Sequence, residues 1–176
     1  GIGFSQTSYT FTSGGATGQT PPTQGQIDAA YTGTSLDGAV TVTAGIQYWT
    51  VPTTGVYTIE AFGGQGYGLF GGRGAHISGE FNLTAGTQLK ILVGQRAGDY
   101  LNYPATTYNH QYGGGGGSFV TLTDNTPYIV AGGGGGNHAS NWLPACDGQI
   151  TEAGSAGAQG STIGAGGTAG NGGNQA

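Results

Sequence analysis

Apolar and polar residues alternate along much of the chain with the period-2 signature of half-buried β-strands. In "AHISGEFNL", Ile77, Phe81 and Leu83 share one face, and His76, Ser78, Glu80 and Asn82 share the other. "VYTIEAF" sets Tyr57, Ile59 and Ala61 against Thr58 and Glu60, and "QLKILVG" sets Leu89, Ile91 and Val93 against Lys90. "AVTVTAGIQYWTVP" adds one or two strands around Gly45. "PTTG" (52–55) and "TAG" (84–86) are turns by residue type. "SFVTL" and "PYIVA", joined by "TDNT", read as a hairpin. Helical periodicity is hard to find, and glycine at this density opposes it. The pattern predicts an all-β chain folded as an antiparallel sandwich or jelly roll.

That hairpin is flanked by two runs of five glycines, Gly113, Gly114, Gly115, Gly116, Gly117 and Gly132, Gly133, Gly134, Gly135, Gly136. A hairpin returns the chain to its start, so the two runs leave the same end side by side. Without Cβ atoms they can adopt the extended polyproline II form, three residues per turn, and bond laterally through their amides. Ordering one residue's backbone costs about 1–2 kcal/mol, and a net hydrogen bond returns about 0.5–1.5 kcal/mol. Two runs alone are therefore marginal, and neighbours are needed. Residues 63–74 and 154–173 are rich enough in glycine to supply them. The expectation is a rigid bundle of polyglycine II helices, with strands mainly in 1–62 and 75–131, within a single domain covering 1–176.

Composition narrows the class. A chain of 176 residues with 41 glycines lacks the every-third-residue pattern of collagen. Three cations, Arg73, Lys90 and Arg96, against a net charge of −5 leave too little positive density for nucleic acid. No apolar run reaches the length of a membrane span, so no membrane insertion is expected. Cys146 is alone, which excludes an internal disulfide. Abundant Gly, Thr, Tyr, Ser and Asn with little Lys or Glu points to an extracellular setting: secreted, cell surface or virion surface. The chain has no methionine and ends on glycine-rich sequence, so it is expected to begin after a processing site or inside a longer product and to continue beyond its last residue.

"GATGQTPPTQGQIDAAYTGTSL" (15–36), "GIQYWTVPTTGVYTIEAFGGQG" (45–66), "FNLTAGTQLKILVGQRAG" (81–98) and "GGGGGSFV…PYIVAGGGGG", in that order, resemble the extracellular glycine-rich domain of the anaplastic lymphoma kinase and leukocyte tyrosine kinase receptors, and related microbial and viral domains. The resemblance implies a jelly-roll sandwich like that of tumour necrosis factor with an inserted polyglycine bundle. It departs where the receptors carry a cysteine after "PTQ-x-Q", here Ile27, and where their long cysteine-bearing segment is replaced by "DYLNYPATTYNHQY". Hormone binding is therefore not carried over. A second similarity, of architecture alone, is to glycine-rich adhesins at phage tail-fibre tips.

Catalytic chemistry finds little footing. "GYGLFG" (66–71) satisfies G-x-G-x-x-G, yet a strand rather than a helix follows it. His76, His110, His138 and Cys146 match no metal-ligand spacing; His76 is expected on an outward strand face beside Glu80. No base and orienting group accompany Cys146, and the eight carboxylates are scattered. No catalytic residue, metal or cofactor is expected. "NLT" at Asn82 is a formal glycosylation acceptor on an outward face.

Two segments differ in kind. "DYLNYPATTYNHQY" (99–112) holds four tyrosines, Tyr100, Tyr103, Tyr108 and Tyr112, with His110, and "NHASNWLPACDGQ" (137–149) holds Asn141 and Trp142. Each borders a five-glycine run. These residue types stack on sugar rings and anchor protein interfaces; the competing reading has them fold down onto bare glycine helices. The favoured function is a non-catalytic extracellular interaction or adhesion module that binds a cell-surface glycan or protein through these aromatics, which requires Tyr103, Tyr108, Tyr112 and Trp142 to be partly exposed. The alternative is a structural subunit of a filament, fibre or sheath that binds copies of itself, with Phe4, Tyr9 and Phe11 in a segment adding to a neighbour's sheet edge. Ice binding through ordered Thr and Gly surfaces is a third reading.

Overall fold

The computed structural model describes residues 7–67, 71–98, 113–136 and 147–150. Among these, one short helix and seven strands follow in order: α1 (Gln24–Tyr31), β1 (Val40–Thr43), β2 (Ile46–Thr50), β3 (Gly55–Phe62), β4 (His76–Leu83), β5 (Gln88–Leu92), β6 (Ser118–Leu122) and β7 (Pro127–Ala131). The strands form two antiparallel sheets, one of order β1-β2-β5-β6-β7 and one of β3-β4. Every strand expected from alternation is present, and the faces are the expected ones. Leu89, Ile91, Ala61 and Leu83 are buried, while Glu60, His76 and Asn82 face outward.

Turn chemistry fixes the register. Ala44 and Gly45, with φ of 50° and 80°, form the two-residue link between β1 and β2, the left-handed pair that suits strand twist. Asn125, at φ 73°, turns β6 into β7, and the Asp124 carboxylate accepts from the Thr126 N–H at 2.9 Å. Gly86, at φ 87°, and a Thr87 N–H to Thr84 carbonyl bond of 3.1 Å close the β4–β5 turn.

The sheets share one core. Trp49, Leu89, Ile91, Val120, Ile129 and Ala131 from the larger sheet meet Ala61 and Leu83 from the smaller. Aromatic edges cross between the layers, Trp49 to Tyr57 at 6.3 Å and Phe81 to Tyr128 at 5.4 Å between ring centroids. Ile27, Tyr31 and Leu36 cover the rest of the β1–β2 side.

The absence of helix expected from sequence is corrected at α1. Its eight residues give apolar periodicity room for a single buried pair, Ile27 and Tyr31 at i and i+4, and Gly25 dilutes its propensity. What forms it is a capping box: the Thr23 hydroxyl accepts from the Gln26 N–H at 3.3 Å, and the Gln26 side chain accepts from the Thr23 N–H at 2.9 Å.

Gln47 is fully buried yet satisfied. Its Oε1 accepts from the Tyr31 hydroxyl at 2.6 Å and its Nε2 donates to the Thr12 carbonyl at 2.8 Å, while the Thr12 N–H donates back to the Tyr31 hydroxyl at 2.8 Å. Burial raises the Tyr31 pKa above its ordinary 10.0, against the weaker opposing effect of these hydrogen bonds. The unfolded phenol thus ionises first, so stability is complete below pH 10.0 and declines as pH rises through and above that value. Tyr31→Phe is expected to cost about 1–3 kcal/mol at neutral pH by leaving the Gln47 oxygen unpaired. Chemical denaturation at neutral and alkaline pH should show the gap between wild type and variant narrowing as pH rises.

Candidate functional site

All five described glycine-rich segments attach to one end of the sandwich. Residues 63–67 leave β3, 71–75 lead into β4, 94–98 leave β5, 113–117 lead into β6 and 132–136 leave β7. Ser118 sits buried at this junction. Its hydroxyl donates to the Phe62 carbonyl at 2.6 Å and accepts from the Gly94 N–H at 2.8 Å, so one side chain joins both sheets at the root of the glycine segments.

Beyond Ser118 the segments hold one another through main-chain bonds that repeat every third residue. Gly63 and Gly66 donate to Ala75 and Gly72, both at 2.9 Å. Gly64 and Tyr67 donate to Gly116 and Gly113 at 2.7 and 2.9 Å, and Gly72 and Ala75 donate to Gly135 and Gly132 at 2.9 and 2.8 Å. Gly64, buried, sits at the centre: its N–H goes to residues 113–117 and its carbonyl accepts from Gly134 at 2.9 Å. Each segment therefore bonds to different neighbours on different sides, unlike a strand with two edges.

The backbones approach too closely for side chains. A Cβ on Gly64 would collide with the Gln95 carbonyl, one on Gly115 with that of Gly64, and one on Gly133 with that of Gly115. The two five-glycine runs are thus packed against 63–67 and 94–97 and bonded to each other, Gly115 N–H to the Gly134 carbonyl at 2.7 Å.

The residues assigned to binding, Tyr100, Tyr103, Tyr108, His110, Tyr112, Asn141 and Trp142, lie outside the described residues, as do Cys146, His138 and the glycine-rich stretch 154–173. The structure does place the stems of both segments. A Cβ on Gly113 would stand 3.8 Å from that of Ala97, so the described residues on either side of 99–112 lie next to each other. Gly135 is bonded to Gly72, and past the second segment Gly148 N–H donates to the Arg73 carbonyl at 2.7 Å while the Asp147 carboxylate accepts from the Arg73 N–H at 2.7 Å.

His76 is half-exposed, but its partner is Glu60 across the strand pair, 3.9 Å away, rather than Glu80 on its own strand. The ring stacks on Phe62 at 4.2 Å and 10°. Four residues apart on one strand, His76 and Glu80 are farther separated than the diagonal neighbours His76 and Glu60 on paired strands, a relation that alternation alone does not reveal. Among the described residues no group of three or more His, Cys, Asp or Glu could hold a metal ion, and no helix is long and apolar enough to cross a membrane. Asn82 of the "NLT" acceptor is exposed on β4.

No protein-family model matches the chain. Leukocyte tyrosine kinase receptor of mouse (Mus musculus) is 40% identical over 104 residues, a match covering 52% of this chain and 11% of the receptor. The match supports a relation to that receptor family, and the chain spans only about a tenth of the receptor's length.

Within one five-glycine run, neighbouring positions should respond oppositely to the same substitution. Gly132→Ala meets nothing within 4 Å and is expected to be nearly neutral. Gly133→Ala drives Cβ into the Gly115 carbonyl, where main chain faces main chain and neither can swing away; a loss of about 3 kcal/mol or more is expected. Denaturation midpoints of the two variants decide this, and equal losses would contradict the packing described.

Proposed function

We propose that the chain is a non-catalytic extracellular interaction module in which a polyglycine II bundle, carried on a jelly-roll-like sandwich, presents aromatic segments to a surface glycan or protein. The three-residue repeat of inter-segment bonds at Gly63/Gly66, Gly64/Tyr67 and Gly72/Ala75 is the observation that carries this reading. It is the period of the polyproline II conformation. A bundle of that kind is stiff without offering side chains, so its use lies in what it holds. Residues 99–112 and 137–146, which hold Tyr100, Tyr103, Tyr108, His110, Tyr112, Asn141 and Trp142, each continue the chain from a glycine segment of this array. Similarity to part of a receptor that sits at the cell surface supports the extracellular setting.

Self-assembly through the N-terminal segment is less favoured. Tyr9 and Phe11 pack on Trp49 at 4.7 and 5.7 Å, and Phe11 also meets Tyr31 at 6.2 Å, so these aromatics serve their own core. A glycan array and a cell-surface binding screen with the wild-type chain test the proposal. Binding is expected to fall at least about tenfold in Tyr103→Ala and Trp142→Ala with the thermal midpoint retained. Binding indifferent to both substitutions, or no binding to any surface ligand with filaments forming instead, would overturn it.

A further inference from the structure

We propose that Asn82 carries an N-linked oligosaccharide whose first sugar lies against Val56, an inference that rests on the extracellular setting read above. Asn82, Leu83 and Thr84 form the one Asn-x-Ser/Thr triplet of the chain, with no proline at its middle position. The triplet closes β4 and opens the turn into β5. Leu83 is 2% exposed and locked in the core, so alternation holds Asn82 and Thr84 outward on either side of it, and both are exposed.

The register with β3 decides what an attached sugar meets. Gly63 N–H donates to the Ala75 carbonyl at 2.9 Å, just beyond the pair in which Phe62 faces His76, so the odd-numbered positions of β3 are the hydrogen-bonded pairs of this ladder. Val56 and Asn82 face each other at an even position. There the two strands come closest and the side chains stand together, with Cβ atoms about 4.5–5.5 Å apart. Val56 is 65% exposed, more than any other large apolar side chain of the described strands. A sugar on the Asn82 amide covers it with the apolar face of its ring and removes that surface from water.

Charge and position both give such an oligosaccharide a use. Only 6% of the residues are charged, whereas charged side chains make up roughly 25–35% of a well-hydrated protein surface. An oligosaccharide supplies hydration without charge. Six residues of β4 separate Asn82 from His76, beside which the glycine segments begin, a span of roughly 20 Å along the strand. The oligosaccharide therefore stands at the end of β4 opposite the glycine array.

The sugar comes from a co-substrate of the secretory pathway, an oligosaccharide carried on a polyprenyl pyrophosphate. Asn82 Nδ2 forms a bond to the anomeric carbon, the C–O bond to the pyrophosphate breaks, and the pyrophosphate leaves with the electron pair. One amide proton passes to a base of the transferring enzyme, and nothing is oxidised or reduced. The Thr84 hydroxyl completes the recognised triplet. The turn itself uses the Thr84 carbonyl, which accepts from the Thr87 N–H at 3.1 Å, so removing the hydroxyl leaves the turn its bond.

The test is secretion of the full chain from a eukaryotic host, followed by peptide mass mapping. An oligosaccharide beginning with an N-acetylhexosamine is expected on Asn82 in most molecules, and on none in Asn82→Gln or Thr84→Ala. Trimming back to the first sugar should retain the thermal midpoint, whereas both variants should lower it by about 2–4 °C. Thr84→Ala keeps the Asn82 side chain and so separates loss of the sugar from an effect of the Asn82 substitution itself. Val56→Thr should shrink the gap between glycosylated and bare chain at least about twofold, and nuclear Overhauser contacts should join the acetyl methyl of the first sugar to the Val56 methyls. A secreted, folded chain bare at Asn82 overturns the proposal. So does an oligosaccharide that shows no contact with Val56 and leaves the midpoint unchanged when removed. Asn82→Gln is expected to bind the surface ligand of the aromatic segments as the wild type does, so either reading can fail while the other stands.

Discussion

Backbone approaching backbone more closely than any Cβ permits is the constraint on which this molecule turns. At Gly64 the main chain is surrounded by three other glycine segments, and a methyl group there would occupy the place of the Gln95 carbonyl. Such an array gains nothing from hydrophobic side chains. Its cohesion comes from hydrogen bonds, each of which returns about as much free energy as ordering a glycine consumes. An array of that kind holds only when its segments are already gathered and its inner amides are cut off from water. Gly64, Gly66, Gly72 and Gly134 are buried, which meets the second condition.

The sandwich meets the first. Because the strands pair antiparallel, β3 ends where β4 begins, β5 ends where β6 begins, and β6 begins where β7 ends. Five glycine segments therefore leave one end of a rigid body already aligned, and their gathering is a consequence of sheet register. Ser118 then ties the two layers at that end, giving Phe62 and Gly94 their partners. A conventional core built from Leu89, Ile91 and Val120 thus sets the stage for an unconventional lattice that has no core of its own.

The strands were legible because each has one buried and one solvated face, and period-2 alternation encodes that geometry directly. "VYTIEAF" and "HISGEFNL" show it residue by residue, and the adjacency of the two five-glycine runs follows from the hairpin between them. Helix α1 was not legible by periodicity, since two turns with one apolar pair carry almost no signal. The Thr23–Gln26 capping box was the trace available in sequence, in the stretch "PTQGQ". The pairing of His76 with Glu60 needed cross-strand register, which composition along one strand does not contain.

Edges show how selectively the fold controls pairing. Opening β1 would offer Val40 and Val42 to any passing strand, and a glutamine projected from α1 closes it with the geometry of a peptide unit. That closure uses a side chain held in place by two turns of helix, themselves held by a capping box and by Ile27 in the core.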